Sequence, residues 1–467
     1  MARGVLLQAV RPAALCSDIE RVAQVMKIKE GEDGPIAVPA VCSESVAKLI
    51  SEAMAFRDEL PPINVLAPCP VLLEREGKLI QIVGYDRQSG IMAAGQPAPE
   101  LSLAEAIDLL ALLFAGFRFA TGGDFARAVA AVITPALLFG GLLNARAPID
   151  LGEADKSQTG KGFRKKLTAA VYSAVLRTVT QRPMGGVGSI QETFDQAVVA
   201  GAVFIALDNF RGRLDVPGIE SYLTEDVYLA RVPYSGSIEI DPRRTVIMFT
   251  SNQAEVTIDL ANRSSIVRLL KQADDHQFET FPEGDLLQHV IANQPKFLGA
   301  VFAIVREWYR LGKPTVPAVG HDFRRWASVL GYITEHIVGV GSLLIGHREA
   351  QARMASPGLT WLRALTLAVI NAGQEGCWLR PYQLLRVVVD ASIETPGVDP
   401  SADFADDAQF QSATRAVGRK LSTVVAADSV TIDGLTVSKE KRLDAKYREQ
   451  TEYRVYPNCR IRSSLRP

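Results

Sequence analysis

The chain has 467 residues, 48% of them hydrophobic, with a formal net charge of −1 and a sequence pI near 6.6. This is enough apolar material for about three buried cores, and so balanced a charge excludes attraction of nucleic acid or an anionic membrane by the molecule as a whole. Five cysteines form no C-x-x-C pair and five histidines do not stand beside them at ligand spacing, which argues against a structural zinc site and a disulfide framework.

Arg11 and Pro12 interrupt the apolar run ahead of Cys16, so no secretory signal is expected, and a cytoplasmic bacterial or nucleoid-associated setting is assigned. Residues 1–118 mix helical segments with short strands and are assigned as an N-terminal α+β domain. Within them 71–86 (VLLEREGKLIQIVGYD) reads as a hairpin turning at Glu76 and Gly77. PAPEL at 97–101 precedes a helix from Leu103 and marks a seam. The longest apolar stretch, 128–143, contains Pro135 and falls short of the ~20 residues of a membrane span. A buried helix and strand are expected there, and no membrane partner.

From 124 to 270 the pattern alternates helix, strand, loop, helix, buried strand, insertion and second buried strand. That order predicts a parallel α/β sheet with ligands at the carboxyl ends of its strands. Residues 154–167, ADKSQTGKGFRKKL, look like a phosphate-binding loop, in which backbone N–H groups and one lysine face a polyphosphate. Ser157, Gln158, Thr159, Gly160, Lys161, Gly162 and Phe163 are the expected nucleotide contacts. Two positions depart from the usual pattern: Asp155 replaces its first glycine, and Gly162 its metal-binding hydroxyl residue. The basic run Arg164, Lys165 and Lys166 is expected on a solvated helix face, and GGVG at 185–188 in a loop.

Residues 201–212, GAVFIALDNFRG, read as a buried strand delivering Asp208 to the sheet edge, where an acid holds Mg²⁺. The plainer reading is a core strand ending in an Asp-Asn turn. TVIMFTSN, 245–252, brings Asn252 to the same edge, suited to position an attacking water. Arg263, in DLANRSSIVRL, suits a finger reaching a neighbouring subunit's γ phosphate, with Arg268 the second candidate. Capping arginines on the surface are the alternative. Residues 277–348 read as amphipathic helices. From Thr360 helices precede a hairpin-like basic stretch, the pattern of a winged helix, where Lys439, Lys441, Arg442, Lys446 and Arg448 suit a phosphate backbone. Trp308, Tyr309, Trp326 and Trp361 are expected in cores.

The residues from 185 to 270, with NQPKFLGAVFAIVREWYRLGKP and DFRRWASVLGYI beyond them, resemble the ATPase core of primase-helicase proteins of phages and integrative elements, among AAA+ and superfamily-3-like helicases. The likeness runs from about 124 to 348. It implies an α/β fold with an AAA+ (P-loop NTPase) three-layer core at 119–275, a helical region at 276–354 and a winged-helix-like DNA-binding domain at 355–467. It implies ATP and Mg²⁺, with Lys161 on the phosphates, Asp208 as the metal-binding acid, Asn252 as sensor amide and Arg263 as finger. Arg231 matches a basic position that faces DNA or nucleotide. Asn209 stands where many such ATPases carry a catalytic glutamate. Thr159 and Ser157 are then candidates for the missing hydroxyl, with Thr159 assigned to the metal, and Glu192 and Glu220 are candidates for the base. The implied function is an ATP-dependent helicase or replication-initiation motor of a mobile element, a hexameric ring on single-stranded or forked DNA. Its rivals are a DNA-binding factor that uses ATP only as an assembly switch, and a scaffold that binds no nucleic acid.

Overall fold

The computed structural model describes residues 10–31, 34–154, 159–179, 189–210, 213–214, 216–232, 236–251, 255–273, 275–355, 357–399, 407–432, 435–443 and 449–457. They divide into two compact units, one from 1–253 and 262–347, the other from 254–261 and 348–467.

In the first unit the expected hairpin forms from β1 (Val71–Arg75) and β2 (Lys78–Ile82). Glu76 and Gly77 both take positive φ, 52° and 73°, as a two-residue turn matched to strand twist requires. Helix α1 (Leu103–Phe114) starts in a capping box between Ser102 and Glu105. After the short strand β3 (Arg118–Phe119) comes α2 (Gly122–Phe139), which takes up most of the apolar stretch as one helix, 89% buried, with no strand after it. It continues through Pro135 although proline removes a helical donor. The adjoining turn is tied by Thr134, whose hydroxyl donates to Ala130 O and accepts from Trp326 Nε1. At its end Gly140 lies against the Leu72 carbonyl so closely that a Cβ would collide with it.

There follow β4 (Ile149–Ala154), α3 (Lys161–Val171), β5 (Arg177–Val179), α4 (Ile190–Val199), β6 (Phe204–Phe210), α5 (Pro217–Thr224), the hairpin of β7 (Tyr228–Val232) and β8 (Gly236–Ile240), then β9 (Val246–Ser251) and β10 (Ser264–Leu270). The central sheet has the order β5-β6-β9-β4-β10-β3. All neighbours are parallel except β3 on β10. The strand carrying the loop therefore lies in the middle, and every parallel strand ends on one edge. Helices α6 (Gln294–Arg310) and α7 (Arg324–Tyr332) share one core with α1, α2 and α3, through residues such as Leu110, Val129, Val301 and Leu330. Trp308 and Trp326 are buried in it, as expected. Gly299 on α6 lets the Pro99 carbonyl approach within 2.6 Å of where a Cβ would stand, so the 97–101 segment is packed against a helix.

The second unit contains α8 (Pro357–Asn371), β11 (Trp378–Leu379), α9 (Pro381–Asp390), α10 (Asp407–Val424), β12 (Ser429–Ile432), β13 (Leu435–Leu443) and β14 (Glu449–Pro457). Its antiparallel sheet runs β11-β14-β13-β12. The core joins Trp361 and Leu365 of α8 to Leu384, Val417 and Val455, and Trp361 is tied by its indole N–H to Thr395 Oγ1 at 2.8 Å.

Candidate nucleotide-binding edge and basic surfaces

At the carboxyl edge the register sets Glu153 of β4 beside Ser251 of β9, and Ser251 beside Phe210 of β6. The ends of three strands thus lie within two strand spacings, about 10 Å, a width suited to a metal-bound triphosphate. After Thr159 the chain turns through Gly160, at φ 87°, and enters α3 at Lys161. Phe117 Cε1 lies 3.0 Å from where a Cβ on Gly160 would stand, so both backbone and packing demand glycine there. Lys161 is buried, 7% exposed, at the amino end of a helix, where free N–H groups favour an anion. Thr159 Oγ1 is buried with no hydrogen-bond partner among the described residues. An unsatisfied hydroxyl two residues before Lys161 fits a phosphate oxygen or a magnesium ligand. At Gly162 an added Cβ would meet nothing within 4 Å. Phe163 turns into the ring cluster, 6.2 Å from Phe117. Ser157 and Gln158 lie outside the described residues.

Arg164 and Lys165 overturn the expectation of a solvated basic face, being 0% and 2% exposed. Arg164 Nη2 donates to Asp150 Oδ1 at 2.6 Å, pinning α3 to β4 directly behind the loop. A helix face turned toward a sheet buries its cations when a strand residue carries the matching acid. Glu153, also buried, escaped the sequence reading. It shares register with Arg268, which lies in β10 with its backbone N–H donating to Asp124. Arg268 is a sheet residue and not a cap on a helix.

Asp208 and Asn209 lie in β6 just before its end, where the register with β9 shifts between Leu207 and Phe210. Asn252 lies outside the described residues, directly after Ser251. Glu192 stands in the first turn of α4, which precedes β6 and begins on the loop's side of the sheet. Glu220, the other candidate base, is 3.8 Å from Arg263. Arg263 immediately precedes β10 and so lies on the amino edge, one strand length or roughly 20 Å from its own loop. It can serve a triphosphate only on another copy.

Arg231 is exposed on β7, and its backbone N–H donates to Asp195 Oδ2 at 3.3 Å. Tyr228 OH donates to Asp195 Oδ1 at 2.6 Å, and Gln191 Nε2 to Tyr228 OH at 2.6 Å. These bonds fasten the β7–β8 hairpin to α4. Burial and the Asp195 carboxylate push the Tyr228 phenol well above its usual pKa, so it stays a donor.

In the second unit the basic hairpin residues are largely committed at home. Lys439 Nζ donates to the carbonyls of Val425 and Ala426 at 2.7 and 3.2 Å. Lys441 pairs with Glu449 at 3.4 Å, and Arg442 pairs with Glu452 at 3.7 Å and lies over Trp378. Lys446 and Arg448 lie outside the described residues. The sequence reading missed Arg415 and Arg419, exposed on α10 four residues apart and therefore on one helical face. Their spacing was the available signal. A cavity of about 730 Å³ lies between α10, the start of α9 and the hairpin, with Thr414, Gly418, Tyr382 and Lys441 in its wall.

No family model and no curated protein matches the chain. Among solved structures it is similar to the A-form apo structure of the NrS-1 C-terminal region, at 13% identity and a TM-score of 0.33, over 95% of this chain and 99% of that one. It is also similar to SCCmec type IV Cch, described as an active helicase, at 10% identity and a TM-score of 0.32, over 91% and 92%. Scores this low do not establish a shared fold.

Proposed function

We propose that this chain is an ATP-dependent DNA helicase or replication-initiation motor of a mobile element, built on an AAA+ core and working as a ring, with six subunits as the expected number. One observation carries the reading. A lysine buried at the start of the helix after the central parallel strand stands at the edge where a second strand carries Asp208, within the order β5-β6-β9-β4-β10. Lys161 and the amino end of α3 hold the phosphates, and Gly160 gives the backbone its turn. Asp208 and Thr159, whose hydroxyl has no partner among the described residues, are the residues that would hold Mg²⁺, which when bound neutralises charge on the phosphates. Arg263 serves the neighbour's nucleotide, so turnover requires assembly. The second unit, with helices followed by a hairpin, is read as a winged-helix-like DNA-binding domain, and α10 presents Arg415 and Arg419 to the backbone.

An ATPase and strand-separation assay tests this. Wild type should hydrolyse ATP faster with single-stranded DNA and separate a forked duplex, and Lys161→Ala should do neither. Gly162 and Asn209 favour a second reading, in which ATP drives assembly with little hydrolysis. Nucleotide-dependent association without phosphate release would select it.

A further inference from the structure

Far from the nucleotide edge, folding of the first fifty residues brings two cysteines together. The helix Pro12–Val22 buries no residue completely, yet Pro12, Leu15, Cys16 and Ile19 are half-buried while Ala13, Ala14, Ser17 and Asp18 are exposed. Cys16 therefore lies in the inward stripe of an amphipathic helix. That helix packs on the helix Glu44–Glu52, whose Ala47 is buried. Between the two, the strands Met26–Gly31 and Gly34–Pro39 pair antiparallel, and the Ala40 N–H donates to Val25 O at 2.9 Å, which carries the returning chain back to the end of the first helix. Cys42 arrives against that helix. Its backbone N–H donates to Glu20 Oε1 at 2.7 Å, and Glu20 stands one turn from Cys16 on the same face. Cys42 is buried, 6% exposed, with its thiol directed to the Ser43 carbonyl at 3.8 Å. The Cys16 side chain is hydrogen-bonded to Cys42. Among the described residues the other free cysteines are Cys69, sealed in the core of the first unit, and Cys377, in the second unit.

Two thiols in contact across packed helices meet the geometric demand of a disulfide, which tolerates no large backbone shift. We propose that Cys16 and Cys42 form a reversible disulfide, a covalent clasp that ties the helix Pro12–Val22 to the start of the helix Glu44–Glu52 around the intervening hairpin. The oxidant is a low-molecular-weight disulfide. Cys16, the more exposed of the pair, loses its proton and attacks one sulfur of that disulfide, forming a mixed disulfide and expelling one small thiol. Cys42 then gives up its proton and attacks Cys16 Sγ, expelling the second small thiol. One protein disulfide and two reduced small thiols result, so the two electrons and two protons lost by the cysteines pass to the oxidant. Desolvation, the bond to Cys42 and that thiol's charge, and the Glu44 and Glu20 carboxylates raise the Cys16 pKa. A weakly acidic thiol is a poor leaving group, so the bridge forms slowly and resists reduction. In a reducing compartment the pair rests as thiols and closes only as oxidant accumulates.

The test equilibrates the full chain in buffers of reduced and oxidised glutathione, blocks remaining thiols with N-ethylmaleimide and digests with trypsin. Mass spectrometry should find residues 4–21 joined to 30–48, the tryptic peptides that carry Cys16 and Cys42. The equilibrium constant for this bridge should exceed that of the urea-unfolded chain by a factor on the order of a hundred, because folding has already closed the loop. Cys377→Ser should form the bridge as wild type does, and Cys42→Ser should stop at a glutathione adduct on Cys16. Hydrogen exchange in residues 12–22 should slow about tenfold on oxidation and recover on adding a phosphine reductant, with no change in Cys16→Ser. The proposal is overturned if the joined peptides are absent at excess glutathione disulfide, if folded and unfolded chains form them equally, if Cys16 bridges only between molecules, or if exchange in 12–22 ignores oxidation.

Discussion

Replacing Arg164 by methionine keeps most of its buried stem and removes its charge, which probes the ion pair behind the loop. The guanidinium is fully buried and the Asp150 side chain 6% exposed, joined by one contact of 2.6 Å. Asp150 Oδ2, Arg164 Nε and Arg164 Nη1 have no hydrogen-bond partner among the described residues, so much of the desolvation of both groups is uncompensated there. Removing one partner strands the other charge, at a cost of about 3–5 kcal/mol. Asp150→Leu should cost a similar amount, whereas the double substitution removes both buried charges and should fall within ~2 kcal/mol of wild type. Urea denaturation is the assay, in a Trp361→Phe/Trp378→Phe background so that Trp308 and Trp326 report on the first unit. Single variants each losing less than ~1 kcal/mol, or a double variant losing the sum of the two, would refute the reasoning.

Gly162→Ser should be accepted, since a Cβ there meets open space. It should stabilise the fold slightly, by about 0.3–0.5 kcal/mol of helix propensity, and strengthen the Mg²⁺ dependence of nucleotide binding. Binding titrations with and without Mg²⁺ check this, and weaker binding contradicts the loop assignment. His321 is buried and stacked on His347 at 4.3 Å, with burial first, then His347 and Arg127, depressing its pKa from 6.5 to about 3. Because the folded state binds the proton less well than the unfolded chain, stability is full above pH 6.5 and is lost as pH falls toward 3. By pH 5 the loss should be about 2 kcal/mol. His321→Asn should remove that dependence, as followed by denaturation at pH 5 and 7. Arg415→Ala/Arg419→Ala should flatten the salt dependence of DNA binding by about 0.7–0.9 in slope per lost phosphate contact, and an unchanged slope in filter binding or anisotropy rules out the α10 face.

Local patterns read well from sequence. The turn at Glu76 and Gly77, the helix from Leu103, the buried strand through Phe204 and Leu207 and the alternation of strands with helices follow from neighbours in the chain. What failed was whatever depended on partners remote in sequence. Arg164 and Lys165 look solvated until Asp150 is seen on the facing strand, 14 residues away. Lys439 looks free for phosphate until the chain brings the carbonyls of Val425 and Ala426 beneath it. The unbroken α2 was hidden because Pro135 is tolerated only in a core that re-ties its turn.

Two bare glycines let main chain press on main chain, Leu72 on Gly140 and Pro99 on Gly299, and such joints admit no sliding and no intervening water. The hairpin and the segment before α1 are therefore riveted to the longest helices of the first unit. A shortened protein beginning near residue 119 would bare both seams, and its insolubility would say nothing about nucleotide chemistry.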